Sequence, residues 1–439
     1  MVVKYAEAIR FLYDLQLFGS KLGLENTRRL AALAGNPQDK LRFIHVAGTN
    51  GKGSTCAMLE SIYRASGLRV GMFTSPHLVA FGERIQVNRQ LINEADVARL
   101  VQEMQPMLAQ FPADSHPTFF EVVTVMALRY FTEQGCDLVI WETGLGGRLD
   151  ATNIVTPLAS VITNIQFDHQ QWLGDTIDKI AFEKAGIIKP GVPLITAVDD
   201  RAAMGVLFKT AQERNAPFWL VSRALAEEVE VRGFRVPLAG EHQVINAATA
   251  VWTARAIAKE ISVSDDAMRA GLAGVEWPGR LQTVARPSGR KILLDGAHNV
   301  GSAEMLRNAL WEFSGAKRLT LVLGVMRDKD WQPMCRLLAP LSAKILLVPV
   351  ASRRAASTAE LAPACREANP AAEVVECVSL AAALERAGYD PFVVVTGSLY
   401  LVGEAMELLG LAPAVHADER TLNDWHSPAV STHDCNVTH

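Results

Sequence analysis

The sequence lacks an excess of either charge and lacks any pairing pattern among its cysteines. Its 43 basic and 47 acidic residues nearly balance, giving a formal net charge of −4 over 439 residues. This balance excludes the basic footprint of a nucleic-acid-binding protein, so an anionic substrate would need a local basic pocket. The six cysteines include no Cys-x-x-Cys pair, which argues against a disulfide framework and favours a reducing compartment.

Long hydrophobic runs are also absent. The apolar run at residues 345–351 has only the length of a strand, and residues 1–21 are charged throughout, without the hydrophobic core of a signal peptide. We therefore predict a cytoplasmic protein with no membrane contact. The length predicts two or three domains, and 49% hydrophobic with 21% charged residues is typical of a soluble globular protein.

Apolar runs of strand length alternate with helical patterns along most of the chain. The clearest runs occupy residues 41–48, 68–75, 136–144 and 157–165. Continuous apolar strands separated by helices are typical of parallel sheets that are covered on both faces. The pattern therefore predicts an α/β fold built from successive βαβ units.

A change of pattern near residues 275–290 predicts an interdomain linker. Proline and glycine interrupt the periodicity there, and the alternation resumes beyond them in a second, smaller α/β unit. We predict a first domain over residues 1–280, a second over 281–415, and a flexible tail over 416–439. The four histidines of that tail are better explained by a solvated segment than by a metal site.

Residues 45–55 have the composition of a phosphate-binding loop and read HVAGTNGKGST. Three glycines permit tight turns and close approach of an anion, a lysine supplies positive charge, and two hydroxyl residues open a predicted helix. Only Thr49 and Asn50 stand between the first glycine and the Gly-Lys pair, whereas the common Walker loop has four residues there. A glycine-rich turn without a ligand is the alternative. The strand before it, the helix after it and the lysine between them favour phosphate.

Polar side chains also stand where other apolar strands end, at Ser75, Glu142, Asp168 and His169. Ligands of open α/β sheets bind at the carboxyl ends of strands, so Ser75, Glu142 and His169 are expected to gather beside the phosphate loop. Ser75 and Glu142 offer the oxygen ligands that Mg²⁺ prefers. Imidazole is a less natural ligand for Mg²⁺, so residue chemistry alone leaves the role of His169 open.

Lys184 lies on the apolar face of a predicted helix that has Thr176 as its N-cap and Pro190–Gly191 as its stop. An inward lysine has several outcomes. It can extend to solvent, pair with an acid, lose its proton, or take up CO₂ as a neutral amine to form a carbamate that binds metal. From the residues alone, extension to solvent is the favoured outcome.

Short stretches from about residue 20 to about residue 410 resemble the Mur ligase superfamily, and within it most closely the folylpolyglutamate synthase/dihydrofolate synthase family. They read HVAGTNGKGST, TSPHL, GERI, FFEVVTVMAL, ETGLGGRLDATN, FDHQQWLGDT, FEKAGIIKPG, HQVINAATA, WPGRLQ, LDGAHN, GVMRDKD and TGSLYLVGE. So many ordered motifs make chance an inadequate explanation. The resemblance implies a P-loop-containing central domain with a mostly parallel sheet, followed by a smaller Rossmann-like α/β domain.

The resemblance also implies an ATP-dependent ligase whose nucleotide lies between two domains. The nucleotide-binding residues would be Thr49, Asn50, Gly51, Lys52, Gly53, Ser54, Thr55, Asn246, Arg280 and Asp295. Two Mg²⁺ ions would be held by Ser75, Glu142, His169 and Lys184 as a carbamate. Substrate would contact His77, Asp150 and Ser398, and catalytic roles would fall to Lys52, Lys184 and His298.

The implied reaction adds L-glutamate to the γ-carboxylate of a (tetrahydro)folate through an acyl phosphate. A bifunctional member would also join glutamate to dihydropteroate to give dihydrofolate, and the resemblance favours a monomer. Cell-wall members of the superfamily usually have an extra N-terminal domain for a UDP-sugar. Only 47 residues precede Gly48 here, and this favours the folate family.

Three alternatives to a folate ligase follow from the same residues. A Mur-like ligase for another carboxylate, such as a peptide or a cyanophycin-like polymer, would share these motifs. A regulatory nucleotide-binding module would turn over ATP without regard to folate or glutamate, but no Asn-Lys-x-Asp signature of guanine recognition supports it. An inactive relative is disfavoured because the loop, Glu142, His169 and Lys184 are all present.

Overall fold

The computed structural model describes residues 3–18, 23–286, 289–314, 319–412 and 419–423. Eight strands form the first of its two sheets: β1 (Phe43–Ala47), β2 (Val70–Phe73), β3 (Ile85–Val87), β4 (Gln90–Leu91), β5 (Leu138–Glu142), β6 (Ala159–Ile162), β7 (Leu194–Thr196) and β8 (Phe218–Leu220). Their spatial order is β4-β3-β2-β5-β1-β6-β7-β8. Only the pairs β2–β3 and β3–β4 are antiparallel, so the predicted parallel sheet is confirmed.

Helices cover both faces of this sheet. They are α1 (Tyr5–Asp14), α2 (Glu25–Leu33), α3 (Lys52–Ala65), α4 (Glu94–Leu108), α5 (Phe119–Glu133), α6 (Gln170–Leu173), α7 (Ile177–Ala185), α8 (Arg201–Glu213), α9 (Arg223–Val231), α10 (His242–Ala256) and α11 (Asp265–Ala273). Short 3₁₀ helices lie at Leu15–Phe18, Pro37–Lys40, Phe81–Arg84, Ala113–Ser115 and Ala151–Ile154.

A second, six-stranded sheet follows in the chain. Its strands are β9 (Gln282–Ala285), β10 (Lys291–Leu294), β11 (Leu319–Leu323), β12 (Ser342–Leu347), β13 (Glu373–Glu376) and β14 (Phe392–Thr396), in the order β13-β12-β11-β14-β10-β9. The pair β9–β10 is antiparallel and the other pairs are parallel. Its helices are α12 (Val300–Ser314), α13 (Trp331–Leu338), α14 (Thr358–Ala368), α15 (Leu380–Arg386) and α16 (Leu399–Leu408), with a 3₁₀ turn at Ala339–Leu341.

Alternate residues along the strands of the first sheet pack into two separate hydrophobic cores, one on each face. In β5, Val139 and Trp141 pack with α1, α4 and α5, whereas Leu138 and Ile140 pack with α3, α10 and α11. This alternation is the period-two geometry of a strand. The two faces of the sheet are therefore distinct, with the helix after the phosphate loop on one face and α5 on the other.

Trp141 is the largest side chain of the α5 core and is fully buried. Its ring lies 4.6 Å from that of Phe73, 5.6 Å from that of Phe43 and 6.4 Å from that of Phe131, measured between centroids. Truncating a buried aromatic of this size to alanine costs about 3–5 kcal/mol. This packing fixes the end of β5, whose last residue is Glu142.

The strand order explains why the predicted polar residues gather. Strands β2, β5, β1 and β6 are consecutive neighbours and run in parallel. Their carboxyl ends therefore present four adjacent loops at one edge, as expected for an open α/β sheet. In the second sheet, β10, β14 and β11 are likewise neighbours, and the loops that follow them face the same cavity.

Two local predictions differ from the structure. Thr176 does cap α7, because its side chain accepts a hydrogen bond from the Lys179 amide, but the helix ends at Ala185 and not at Pro190–Gly191. The region predicted as a linker contains β9, which pairs with β10 in the second sheet. The domain boundaries themselves stay a prediction.

The predicted flexible tail lies mostly outside the described residues, together with its histidines. The described part, 419–423, contains the 3₁₀ turn Arg420–Asn423. Glu419, Leu422 and Asn423 are buried, so this short part is packed and is not a free extension. None of the helices within the described ranges combines the length and hydrophobicity needed to cross a membrane.

Candidate active site

Loops from both sheets line one cavity of about 310 Å³. Most of the predicted site residues line it: Thr49, Asn50, Gly51, Lys52, Gly53, Ser54, Ser75, Glu142, Asp150, His169, Lys184, Arg280, Asp295, His298 and Ser398. The other three predicted residues, Thr55, His77 and Asn246, are buried next to it but do not line it. The cavity presents the basic side chains of Lys52, Lys184 and Arg280 together with the acidic side chains of Glu142, Asp150 and Asp295.

The phosphate-type loop joins β1 to α3 and turns at two glycines with positive φ. Gly48 has φ of 151°, and a Cβ there would meet Thr163 Oγ1 at 1.9 Å. Gly51 has φ of 83° and is the N-cap of α3. Both positions therefore favour glycine. Lys52 opens the helix and its Nζ donates to the Thr49 carbonyl at 3.1 Å, so the ammonium stays beside the helix N-terminus, where anions bind.

Residues after β6 hold this loop in place. The Asn164 side chain accepts from the Asn50 amide at 2.7 Å, and the Thr163 hydroxyl donates to the Asn50 carbonyl at 2.6 Å. The Asn50 side chain in turn donates to Gln166 Oε1 at 2.8 Å. These bonds fix the loop before any ligand arrives, which reduces the cost of ordering it on binding.

Glu142 is buried at the end of β5, next to the loop that contains Ser75. Its Oε2 accepts a hydrogen bond from the Ser75 amide at 3.0 Å. Burial raises the pKa of Glu142 to about 7, and the Lys52 ammonium is the largest opposing influence. A carboxylate in this setting gains strongly from a further positive charge.

Lys184 projects from α7 towards the phosphate-type loop and is only 4% exposed. Its Nζ donates to the Gly48 carbonyl at 2.7 Å. Extension to solvent, the outcome favoured by the residues alone, is therefore wrong. Burial, and next the Lys52 charge, lower the pKa of Lys184 to about 7.

An ionic contact joins the two sheets across the cavity. Lys329, from the loop after β11, places its Nζ 2.6 Å from Asp168 Oδ1 and 3.1 Å from His169 Nε2. Asn299 donates to Asp168 Oδ2 at 3.0 Å, and His298 Nε2 lies 3.8 Å from that oxygen. Removing one partner of a buried ion pair costs about 3–5 kcal/mol. The carboxylate of Asp168 therefore joins the first sheet to three side chains from loops of the second sheet.

The pKa values in this network follow from burial and from the Lys329 charge. Burial raises the pKa of Asp168, but Lys329 and two histidines lower it by more, so it lies well below its usual range. Burial and then Lys329 lower the pKa of His169 to about 3 and that of His298 to about 4. Both imidazoles are therefore neutral at neutral pH.

The second sheet contributes Asp295, His298 and Ser398. Asp295 follows β10 and accepts from the Leu281 and Ala297 amides at 2.9 and 3.0 Å. Burial raises its pKa, against the opposing charge of Arg280. Ser398 caps α16, because its hydroxyl accepts a hydrogen bond from the Tyr400 amide at 3.1 Å. The same residue also lines the cavity.

The side chains of Asn246 and His77 support neighbouring groups. Asn246 donates to Gln243 Oε1 at 3.0 Å, and a Cβ on Gly51 would meet its Oδ1 at 2.6 Å. The amide thus backs the phosphate-type loop from α10. His77 Nδ1 accepts from Arg84 Nε at 2.8 Å. Direct ligand contacts for Asn246 and His77 stay predictions.

Asp150 organises the loop between β5 and the 3₁₀ helix Ala151–Ile154. Its carboxylate accepts from the Leu145 amide at 2.7 Å, from the Thr152 amide at 3.0 Å and from the Thr152 hydroxyl. Burial raises its pKa and these bonds oppose the rise. Asp150 therefore shapes the cavity wall, and substrate binding by its carboxylate stays a prediction.

Substituting alanine for Gly186 should destabilise the protein by about 1–3 kcal/mol through overpacking. A Cβ at Gly186 would lie 2.2 Å from Arg148 Cα, which is backbone of the Asp150 loop and has little freedom to move. Chemical denaturation measures the change.

The matched control for this substitution is Gly205→Ala in α8, where a Cβ would meet no atom within 4 Å. Alanine there should stabilise the helix by about 0.5–1 kcal/mol. Equal unfolding free energies for the two variants would contradict the packing argument.

Sequence reasoning missed three residues that line or join the cavity, namely Arg84, Asn299 and Lys329. It named Asp168 as a polar residue after a strand but not as the partner of Lys329. Arg84 lies in GERI, Asn299 in LDGAHN and Lys329 in GVMRDKD, all of which contributed to the resemblance. A polar or charged side chain within a motif that follows a predicted strand was the available signal.

Two protein families match the chain. The Mur ligase middle domain matches residues 46–254, and the Mur ligase glutamate ligase domain matches residues 279–399. The chain is 36% identical over 436 residues to the dihydrofolate synthase/folylpolyglutamate synthase of Bacillus subtilis, a match covering 93% of this chain and 100% of that protein.

Solved structures show the same similarity in three dimensions. Escherichia coli FolC in complex with DHPP and ADP matches with a TM-score of 0.82 at 32% identity, covering 93% of this chain and 98% of that one. The Mycobacterium tuberculosis folylpolyglutamate synthase complexed with ADP matches with a TM-score of 0.82 at 30% identity, covering 93% and 100%.

Proposed function

The chain belongs to the Mur ligase family, within its dihydrofolate synthase/folylpolyglutamate synthase branch, and we propose that it is an ATP-dependent ligase that adds L-glutamate to the γ-carboxylate of a folate. The observation that supports this most is that Lys52, Glu142 and Lys184 line one cavity with residues of the second sheet. The relatives with bound ADP and DHPP support a nucleotide and a small-molecule substrate.

The reaction requires activation of a carboxylate, because an amine does not displace oxide from a free carboxylate in water. Transfer of the ATP γ-phosphoryl group to the substrate carboxylate gives an acyl phosphate. The glutamate nitrogen then attacks the acyl carbon, the C–N bond forms, and phosphate leaves with the electrons of the C–O bond. No protein nucleophile takes part, so positioning and charge neutralisation supply the catalysis.

The residues of this chain serve that reaction by position. Lys52 and the first turn of α3 provide positive charge and N–H groups for the transferring phosphoryl group. Arg280 and Asp295 would bind the nucleotide from the opposite wall, with His298 beside them. The Asp168–Lys329 ion pair joins the two walls of the cavity, and closure of the two sheets on the substrates would limit hydrolysis of the acyl phosphate by water.

The donor set of Ser75 and Glu142 fits Mg²⁺, since it offers a hydroxyl and a buried carboxylate at one end of the cavity. When bound, the ion would neutralise phosphate charge. His169 and Lys184 fit a second ion only after a rearrangement, because Lys329 Nζ lies 3.1 Å from His169 Nε2. Carbamylation would give Lys184 the required oxygen donors.

The proposed Mg²⁺ ligands do not form a preformed cluster of His, Cys, Asp and Glu side chains. In the described part of the chain, no group of three or more His, Cys, Asp or Glu side chains is arranged to hold a metal. The proposed sets contain a serine hydroxyl, a modified lysine and ATP phosphates, none of which belongs to such a group. Magnesium binding should therefore depend on nucleotide and on carbamylation.

Mass spectrometry of reaction products tests the proposed function. With ATP, Mg²⁺, glutamate and tetrahydrofolate, we expect a product heavier by one glutamate residue, with one ADP formed per bond. The same reaction with dihydropteroate tests the second activity separately. Reactions without glutamate are the control, and absence of both products would refute the folate assignment.

Two alternatives predict different results in that assay. A regulatory nucleotide-binding module would release ADP at a rate that folate and glutamate do not change. A ligase for another carboxylate would show glutamate-dependent turnover only with a different acceptor. The monomeric state and the cytoplasmic location stay predictions.

A further inference from the structure

Three buried residues near the far end of the sequence belong to the wall around the cavity. Glu419 is 2% exposed, Leu422 is 2% exposed and Asn423 is 4% exposed. Leu422 and Asn423 both line the cavity. We call residues 419–423 the C-terminal wall.

Hydrogen bonds fasten the C-terminal wall to the loop after β2. Phe81 donates its amide to Glu419 Oε2 at 2.7 Å, and His77 Nε2 lies 2.8 Å from the Glu419 carbonyl. Asn423 donates through Nδ2 to the His77 carbonyl at 2.9 Å, and its Oδ1 accepts from Arg84 Nη2 at 2.5 Å. Four bonds over five residues define a specific contact.

Arg84 is the group on which this contact acts. Its guanidinium is 3% exposed, lines the cavity and lies 5.3 Å above the Phe119 ring. The two side chains that bind it are the imidazole of His77 and the amide of Asn423. The amide of Asn423 carries no charge. Asn423 thus orients Arg84 without neutralising it.

The C-terminal wall and the helix that follows the phosphate-type loop pack on opposite faces of the first sheet. Leu422 packs in the core that contains α1, α4 and α5, including Phe119. Helix α3, which begins at Lys52, packs in the core on the other face of the sheet. The wall therefore borders the part of the cavity next to α5 and not the part next to α3.

We propose that Leu422 and Asn423 form part of the binding site for the carboxylate-bearing substrate, and that Asn423 is a positioning residue that holds Arg84 towards it. This inference rests on the proposed function for the identity of the substrate as a folate. According to this proposal, the C-terminal wall contributes to the affinity for the folate and not to the affinity for ATP. The wall lies more than 300 residues from the loop after β2 in sequence, although the two are hydrogen-bonded.

Two shortened chains and one point variant test the proposal. A chain ending at residue 412 should have a KM for the folate raised by about tenfold or more, since a hydrogen bond to a charged group and an apolar wall are lost. Its KM for ATP should change by less than about twofold. A chain ending at Asn423 is the matched control and should behave as the full chain does.

Asn423→Ala tests the same proposal by a single substitution, so that a result is obtained even if the chain ending at residue 412 does not fold. We expect a rise of about tenfold in the KM for the folate with little change in the KM for ATP. Asn369→Ala is its control, because Asn369 is also buried and donates to the Ala339 and Ser342 carbonyls at 2.8 and 2.9 Å, but does not line the cavity. That variant should lose thermal stability with both KM values unchanged.

The outcomes separate this proposal from the proposed function. An unchanged KM for the folate in Asn423→Ala, or an equal rise in both KM values, would overturn the role of the C-terminal wall while leaving the ligase assignment intact. A full-length chain that adds glutamate to neither folate substrate refutes the proposed function and this inference with it.

Discussion

Substituting alanine for Lys52 should lower kcat/KM for glutamate addition by about a thousandfold or more, because the charge that develops on the transferring phosphoryl group loses its fixed ammonium. Lys52 stands at the N-terminus of α3, and among the described residues its side chain donates one hydrogen bond, to the Thr49 carbonyl. Steady-state kinetics with saturating Mg²⁺ and glutamate measure the loss.

The fold should survive this substitution, since Lys52 is only partly buried and takes part in none of the ion pairs of the described chain. Circular dichroism and the melting temperature should match those of the unmodified protein. Lys179→Ala is the matched control, because Lys179 is 62% exposed and pairs with Asp175 on the surface. Activity in Lys52→Ala within about tenfold of the control would reject the assignment of the loop.

The fold was predictable because its strands are buried on both sides. Strands such as β1 and β5 are apolar at nearly every position and fully buried, which is the signature of a parallel sheet. Strand β9 was missed for the opposite reason. It is an edge strand with alternating exposure, and the prolines and glycines around it hid its periodicity.

The end of α7 shows where tertiary contacts override local signals. Pro190 and Gly191 are a plausible stop in sequence, but the helix ends at Ala185. The Gly186 carbonyl accepts from Asn153 Nδ2 at 3.2 Å, and the glycine packs directly against Arg148. Both partners come from a loop more than 30 residues away, so no local pattern reports them.

Site residues at the ends of strands could be predicted from the sequence. Contacts between residues of the two sheets could not, because they depend on which side chain lies opposite. Ser75 and His169 follow strands and Glu142 ends one, and the order of strands brings them to one edge. The contact of Lys329 with Asp168, by contrast, joins residues 161 positions apart. It depends on how two sheets face each other, which the spacing of motifs does not encode.

Substituting alanine for Lys184 should lower activity by about 10²- to 10³-fold, and acetate should restore part of it. The side chain is buried with its Nζ 2.7 Å from the Gly48 carbonyl, so truncation opens a space beside the phosphate-type loop. If a carbamate is the active form, the missing group is a carboxylate with two oxygens, and a small free carboxylate can occupy that space. Rates across a series of acetate concentrations measure the rescue.

The matched control for the rescue is Lys52→Ala under the same acetate concentrations. That variant lacks an ammonium and not a carboxylate, so acetate should leave its activity unchanged. Rescue of Lys184→Ala by a short alkylamine in place of acetate would indicate that the unmodified amine is the active form. A full rate in Lys184→Ala without any additive would remove Lys184 from the reaction altogether, because a buried lysine that binds neither metal nor phosphate contributes only to the structure of the loop.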